Sequence, residues 1–286
     1  MDFEDIVFPA KITLHTKGKL FLMDRPWVMG ILNLTPDSFY AGSRLNPDSD
    51  QVIKAASQMI AEGADILDIG GYSSRPGADE VSEQEELDRT LPAIQAIKAK
   101  FPEILISIDT FRSKVAEKAV LTGADLVNDI SAGELDGGML ETVAGLKVPY
   151  IAMHMKGTPK NMQMQAIYDD ILTEMLHYFS KKIEDCKKAG IKDVIIDPGF
   201  GFAKTLTQNY WILKNLSYFK ITQQPILAGV SRKSMIYKIL DLEPDQALNG
   251  TTALNMAALI NGANILRVHD VKEAKQTVTL YKQLYP

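Results

Sequence analysis

Eight apolar runs in this chain each end at or beside a residue that can donate, accept or carry charge. These residues are Asn33, Asp68, Asp109, Asn128, His154, Asp197, Ser231 with Lys233, and Arg267 with His269. They supply three carboxylates, two amides and several cations. A pocket of that make-up on an apolar wall suits a small, flat ligand rich in hydrogen-bonding groups and bearing an anion. The four histidines have no serine or cysteine placed beside them in the sequence, so no nucleophile–base pair is expected. Arg267 and His269 stand two apart, which on a strand puts a permanent cation and a titratable one on the same face.

Such residues meet only if strands deliver them to one place. A closed parallel β/α array does so, because the C-terminal ends of its strands share one rim, where the active sites of such barrels lie. Strands are predicted at 27–32, 65–69, 104–108, 125–129, 148–153, 193–197, 225–230 and 264–268. Most are continuous apolar runs such as Ile104-Leu105-Ile106-Ser107-Ile108, as expected for parallel strands covered on both faces. Helical spacing occupies 49–62, 83–100, 112–122, 137–145, 166–189, 207–215, 245–261 and 271–284. Gly63, Gly123, Gly190 and Gly262 each precede a strand, where glycine provides a left-handed helix stop. The alternation predicts an α/β fold, a (β/α)8 TIM barrel, over an open sheet. Ahead of it, Ile12-Thr13-Leu14 and Leu20-Phe21-Leu22 flank a Lys17-Gly18 turn, an N-terminal β-hairpin over 12–22 placed to plug the barrel bottom. No linker divides residues 1–286, and a barrel of about 250 residues forms one domain.

Composition narrows the function classes. At 286 residues and 46% hydrophobic the chain can bury a large core, and a net charge of -5 without a basic block excludes nucleic-acid and membrane-surface binding as expected roles. No apolar run approaches the ~20 residues that span a bilayer. The acidic start Met1-Asp2-Phe3-Glu4-Asp5 lacks the features of a signal peptide. The single cysteine, Cys186, permits no intrachain disulfide and fits a reducing compartment, so a cytoplasmic protein is expected. The Gly/Ser/Pro-rich loops 35–47 and 70–79 carry Asp37, Phe39 and Arg75, and read as binding loops or lids rather than mere solvated connections.

The same segments, taken in order, resemble the dihydropteroate synthases, folate-pathway enzymes inhibited by sulfonamides. The resemblance runs through Met29-Gly30-Ile31-Leu32-Asn33-Leu34-Thr35-Pro36-Asp37-Ser38-Phe39, Asp68-Ile69-Gly70-Gly71-Tyr72-Ser73-Ser74-Arg75-Pro76-Gly77-Ala78, Ile108-Asp109-Thr110 and Asn128-Asp129-Ile130-Ser131. It continues through Met153-His154-Met155-Lys156-Gly157, Asp197-Pro198-Gly199-Phe200-Gly201-Phe202, Gly229-Val230-Ser231-Arg232-Lys233-Ser234 and Leu266-Arg267-Val268-His269-Asp270. Tyr72 and Ser74 depart from the family's usual Glu and Thr in the second loop.

The resemblance implies condensation of 6-hydroxymethyl-7,8-dihydropterin pyrophosphate with para-aminobenzoate to 7,8-dihydropteroate and pyrophosphate. It implies pterin contacts from Asp109, Asn128, Met153, Asp197 and Lys233, and pyrophosphate contacts from Asn33, Arg267 and His269. Mg²⁺, held through Asn33, is the implied cofactor. Para-aminobenzoate is implied at Phe39, Ser74, Arg75, Pro76, Phe202 and Ser231, and sulfonamides at the same place. Asp37, Arg75, Asp109, Lys233 and Arg267 are the implied catalytic set. The family is usually dimeric, and Leu259, Ile260, Val278, Leu280 and Leu284 serve a homodimer or face the barrel.

Plainer roles stand beside these. Asp197 is also suited to capping the turn at Pro198-Gly199, Asp109 to capping a helix from Phe111, His269 to a buried structural role, and Phe39 and Phe202 to the core. Asp68 reads as a partner of Lys233 or Arg267. Other functions compatible with such a pocket are a pterin-dependent methyltransferase, a non-catalytic pterin-binding paralogue and a sugar-phosphate aldolase. The intact Ser73-Ser74-Arg75-Pro76-Gly77 and Ser231-Arg232-Lys233 segments favour the synthase.

Overall fold

Side chains alternate in and out along eight short parallel strands, and that alternation places the polar residues. The computed structural model describes residues 12–34, 49–72, 81–159 and 161–286. The strands are β3 (Trp27–Asn33), β4 (Ile66–Gly70), β5 (Leu105–Asp109), β6 (Leu126–Asp129), β7 (Tyr150–Met153), β8 (Val194–Asp197), β9 (Leu227–Ala228) and β10 (Ile265–Val268), after a hairpin of β1 (Ile12–Thr16) and β2 (Lys19–Met23). They lie side by side in the order β8-β7-β6-β5-β4-β3-β10-β9. A parallel bridge from Ile196 to Ile226 joins the two edges, with the Ile196 N–H donating to the Pro225 carbonyl at 2.9 Å. The sheet is thus a closed barrel. The helices are α1 (Ser49–Glu62), α2 (Glu83–Lys100), α3 (Ser113–Thr122), α4 (Met139–Leu146), α5 (Ile171–Ala189), α6 (Leu206–Lys214), α7 (Ser234–Leu240), α8 (Leu248–Ile260) and α9 (Val271–Leu284).

One residue from each of the eight barrel strands closes the lower interior: Met29, Ile66, Leu105, Leu126, Ile151, Ile195, Leu227 and Ile265 pack together with Leu14 and Met23 of the hairpin. The hairpin therefore plugs the bottom of the barrel, turning through Lys17 and Gly18, both with positive φ. The outward-facing strand residues, such as Ile106, Val127 and Ile196, join the helices in a second and larger core. Moving up two residues along each strand replaces Ile66 by Asp68, Leu105 by Ser107, Leu126 by Asn128, Ile195 by Asp197 and Ile265 by Arg267. The barrel is greasy below and polar above because of this period of two.

Several expected boundaries move for identifiable reasons. The helix predicted from 166 begins at Ile171, because the Asp170 carboxylate accepts from the Leu172 and Thr173 N–H groups and caps it there. The strand predicted over 225–230 shrinks to Leu227–Ala228; Pro225 lacks an N–H, and the Ile226 N–H is taken by the Asn264 side chain at 2.9 Å. Helix α7 follows it, absent from the predicted set. The four glycines predicted as helix stops all have positive φ, between +99° and +146°. Of the apolar residues considered for subunit contact, Leu259 and Val278 are buried, whereas Ile260, Leu280 and Leu284 are exposed. Among the described residues, no helix is long and apolar enough to cross a membrane.

Candidate active site

Arg267 is the hub of the upper interior. Its Nε donates to Asp68 Oδ2 and its Nη2 to Asp109 Oδ2, both at 2.6 Å, so one planar guanidinium spans two carboxylates from neighbouring strands. Asn128 Nδ2 donates to the same Asp68 oxygen at 3.1 Å. Asp68 is fully buried and its second oxygen, Oδ1, is orphaned, as is the Ser107 hydroxyl. Ser107 lies opposite Asp68 in the β4–β5 register. Asp68 thus answers its open assignment: it is a partner of Arg267. Burial holds Asp109 above the ordinary carboxylate range, with Arg267 opposing and Asp68 reinforcing the shift.

Two glycines on the interior face open space above this cluster. A Cβ at Gly70 would stand 3.6 Å from Asn33 Oδ1 and 3.8 Å from Asp109 Oδ2. One at Gly229 would stand 3.9 Å from both Arg267 Cβ and Lys233 Nζ. Asn33 and Asp109 therefore converge over one glycine, Arg267 and Lys233 over another. Asp109 caps no helix, since α3 begins later, after Arg112.

The segment after β8 builds the other wall. Asp197 spends Oδ1 on the Gly199 N–H at 2.7 Å, so its turn-capping role is real and leaves one oxygen uncommitted to that turn. Burial raises its pKa, opposed chiefly by Lys233. Lys233 Nζ donates to the Phe200 carbonyl and lies 5.0 Å from the centroid of the Phe202 ring. Burial pushes Lys233 down to about 8 against the pull of Asp197. Phe202 packs beside an apolar patch of Ile130, Met153, Met155, Met162 and Ala203, so Met153 forms part of the wall.

Ser231 and His269 depart from expectation. The hydroxyl lies 3.0 Å from His269 Nδ1, the spacing of a nucleophile–base couple, although 38 residues separate them. It also accepts from the His269 backbone N–H at 3.1 Å and is only 4% exposed, so the pair ties the ends of β9 and β10 together. His269 and Arg267 share an inward face but lean to opposite neighbours, Ser231 on one side and the Asp68–Asp109 pair on the other. Arg232 is held by a two-bond ion pair to Asp270.

His154, one of the strand-end residues named above, pairs with a buried lysine, Lys204, that sequence reasoning did not single out. Lys204 Nζ reaches His154 Nδ1 at 3.0 Å and the carbonyls of His154, Gly199 and Phe202 at 2.9–3.3 Å. Desolvation pushes Lys204 down to about 7 and His154 down to about 2. Tyr72, where the family's usual acid is absent, stands edge-on to Phe111 at 5.1 Å and beneath the Arg112 guanidinium. Asp37, Phe39, Ser74, Arg75 and Pro76 lie outside the described residues. Among the described residues no cluster of three acidic, cysteine or histidine side chains is arranged to hold a metal by itself.

The closed barrel that carries this mouth is the fold of the pterin-binding enzymes. Residues 29–269 match the family model described as pterin binding enzyme, and the chain belongs to that family. It is 44% identical to the dihydropteroate synthase of Escherichia coli K12 over 267 residues, 93% of this chain and 94% of that one. Identity to the Synechocystis enzyme of the same name is 45%, covering 94% and 91%. The Yersinia pestis dihydropteroate synthase, solved with a sulfonamide drug, superposes with a TM-score of 0.89 at 42% identity, covering 96% and 99%. That of Xanthomonas albilineans, solved with 4-aminobenzoic acid, also gives 0.89 at 37% identity, covering 96% and 98%. Within the family the chain falls among the dihydropteroate synthases, which are transferases.

Proposed function

We propose that this barrel joins para-aminobenzoate to 6-hydroxymethyl-7,8-dihydropterin pyrophosphate at the mouth just described, releasing pyrophosphate and 7,8-dihydropteroate. The observation that carries this reading is the convergence of Asp68, Asp109, Asn128, Lys233 and Arg267 within one interior layer. A pterin presents an amino group, a ring N–H and a carbonyl along one edge. Asp197 accepts from the first two, at about 1.5–3 kcal/mol for each charge-assisted bond. Asn128 pairs with adjoining ring atoms, Lys233 donates toward the carbonyl, Asp109 faces the far side of the ring, and Met153 lies against it.

Pyrophosphate departs when its charge is met. Among the described residues Arg267 Nη1 takes no protein acceptor, and it faces the anion while the other edge of the fork stays on the carboxylates. Asn33 and His269 complete the anion site. Asn33 Oδ1, above the open space at Gly70, also fits Mg²⁺, an oxygen-seeking ion usually bound by few protein groups together with phosphate and water. When bound, Mg²⁺ would neutralise charge on the leaving pyrophosphate. An aromatic amine is uncharged at neutral pH and needs no strong base, so the Ser231–His269 pair is not required as one. The protein orients the reactants, excludes water and stabilises charge on a dissociative path.

The benzene ring of para-aminobenzoate lies between Phe202 and the alkyl stem of Lys233, with its carboxylate toward Ser231. Phe39, Ser74, Arg75 and Pro76 close over it, and Asp37 orders the first loop. Sulfonamides compete there. The chain works as one domain, as a homodimer through exposed apolar residues such as Ile260, Leu280 and Leu284. Its lone thiol, Cys186, is buried and pushed up to about 12, in keeping with a cytoplasmic setting. Pyrophosphate release by the purified protein, with both substrates and with or without Mg²⁺, tests the reading. Release independent of para-aminobenzoate would overturn it.

A further inference from the structure

Lys204 is a lysine with its head inside the protein: it is 3% exposed, and its hydrogen-bond partners are three carbonyls and an imidazole rather than a carboxylate. Such burial is rare for lysine, and an apolar side chain of similar length would fill the space without desolvating a charge. Its acceptors explain what the charge does. Gly199 and Phe202, whose carbonyls it binds, belong to a reversal in which Gly199, Gly201 and Ala203 all have positive φ. Gly199 also has no room for a side chain, because a Cβ there would stand 2.3 Å from the His154 carbonyl. Gly199 thus packs directly against the His154 carbonyl, and the Lys204 amine bonds to the carbonyls of both residues.

The same reversal presents the Phe200 carbonyl and the Phe202 ring to Lys233. Two more of its polar groups are also held: Asn209 accepts from the Gly201 N–H at 2.7 Å, and Tyr168 donates to the Ala203 carbonyl at 2.9 Å. Lys204 grips the loop from inside and Lys233 rests on it from the mouth. We propose that Lys204 is a positioning residue which, by binding the Gly199 and Phe202 carbonyls, sets the Phe200 carbonyl and Phe202 ring that hold Lys233 at the arylamine subsite. Asp68, Asp109, Asn128 and Arg267 stand on other strands and keep their arrangement without it.

This inference rests on the synthase reading, and the test separates the two. Lys204→Met keeps the length and removes every donor; Lys204→Gln restores two N–H donors without charge. In the pyrophosphate-release assay on the full chain, Lys204→Met raises the KM for para-aminobenzoate at least tenfold. Its kcat changes less than threefold, and calorimetric affinity for the bare dihydropterin, which also meets Lys233 and the Asp197 held by the Gly199 N–H, falls less than the arylamine affinity does. Lys204→Gln recovers part of the lost arylamine affinity. A Lys204→Met enzyme with an unaltered arylamine KM, or one whose dihydropterin affinity falls as far as its arylamine affinity, overturns the proposal. If Lys204→Met fails to fold, Lys204→Gln decides: a KM raised threefold or more supports it and an unchanged KM overturns it. A wild-type protein that releases no pyrophosphate removes the synthase reading, and the positioning role with it.

Discussion

Arg267→Ala withdraws the one side chain that, among the described residues, hydrogen-bonds to both Asp68 and Asp109. Two effects of different origin follow. The first is on stability. Asp68 is left fully buried with Asn128 as its remaining side-chain donor, and removing one partner from a buried ion pair costs about 3–5 kcal/mol. Asp109, already raised by burial and by Asp68, loses the guanidinium that opposes the shift and is pushed further toward its protonated form, which leaves Asp68 as the stranded charge. The cost is a large part of a typical domain's stability of about 5–15 kcal/mol. Adding Asp68→Asn removes the stranded charge and is expected to recover a substantial share of the loss. The second effect is on the anion. Losing one or two charge-assisted bonds to pyrophosphate, at about 1.5–3 kcal/mol each, weakens the diphosphate substrate by about one to four orders of magnitude. The bare dihydropterin, which lacks the anion, is expected to weaken less than tenfold. Turnover falls below detection in both the single and the double variant. Thermal melts, calorimetry with each ligand and pyrophosphate release measure these separately. Equal affinity losses for the two ligands would refute the clamp, and an undiminished melting temperature in Arg267→Ala would refute the shared ion pair.

Asp109 carries a raised pKa, so the folded protein binds its proton more tightly than the unfolded chain does. Its contribution to stability is therefore greatest at acid pH and is lost as pH rises through the folded value. Asp109→Asn is expected to melt no lower than wild type at pH 8 and to flatten the pH dependence, with lower kcat/KM; a melting temperature depressed at pH 8 with the slope retained would contradict this. Lys233 must be charged to meet the pterin carbonyl, and its pKa of about 8 sets an alkaline fall in kcat/KM through that pH. Lys233→Arg is expected to remove that limb whatever its residual rate, and a limb that persists would belong to another group. Leu14→Ala at the barrel bottom is expected to cost about 2–5 kcal/mol in chemical denaturation. Measured well below the melting temperature, its kcat/KM should match wild type, because Leu14 packs beneath the polar layer.

The barrel is legible in the sequence because each strand is a local event. Residues such as Ile66-Leu67-Asp68-Ile69-Gly70 declare apolar packing on both faces, and a period of two says which side chains share an interior. Asn33, Asp109, Asp197 and Arg267 follow from that reasoning. What it does not convey is pairing across the ring. Asp68 and Arg267 are 199 residues apart, and only barrel closure brings them into contact. Ser231 and His269 escape notice as a pair because β9 and β10 are neighbours in space, with two helices, α7 and α8, between them in sequence. Lys204 carries no local mark, since a lysine after a glycine-rich turn ordinarily faces water. The shortened β9 is a conflict between a hydrophobic run, which asks for a strand, and Pro225, which cannot donate to one.

The seam between β3 and β10, with Trp27 opposite Ile265, joins the first barrel strand in the chain to the last. During synthesis the ring stays open until Ile265–Val268 has emerged, so β3 waits as a bare edge while more than two hundred residues are added. Exposed edges of that kind invite pairing with other chains. A ribosome stalled, or a message cut, shortly before this segment would release a sheet with unsatisfied borders. Its Asp68 and Asp109 would also lack the guanidinium that arrives with the closing strand.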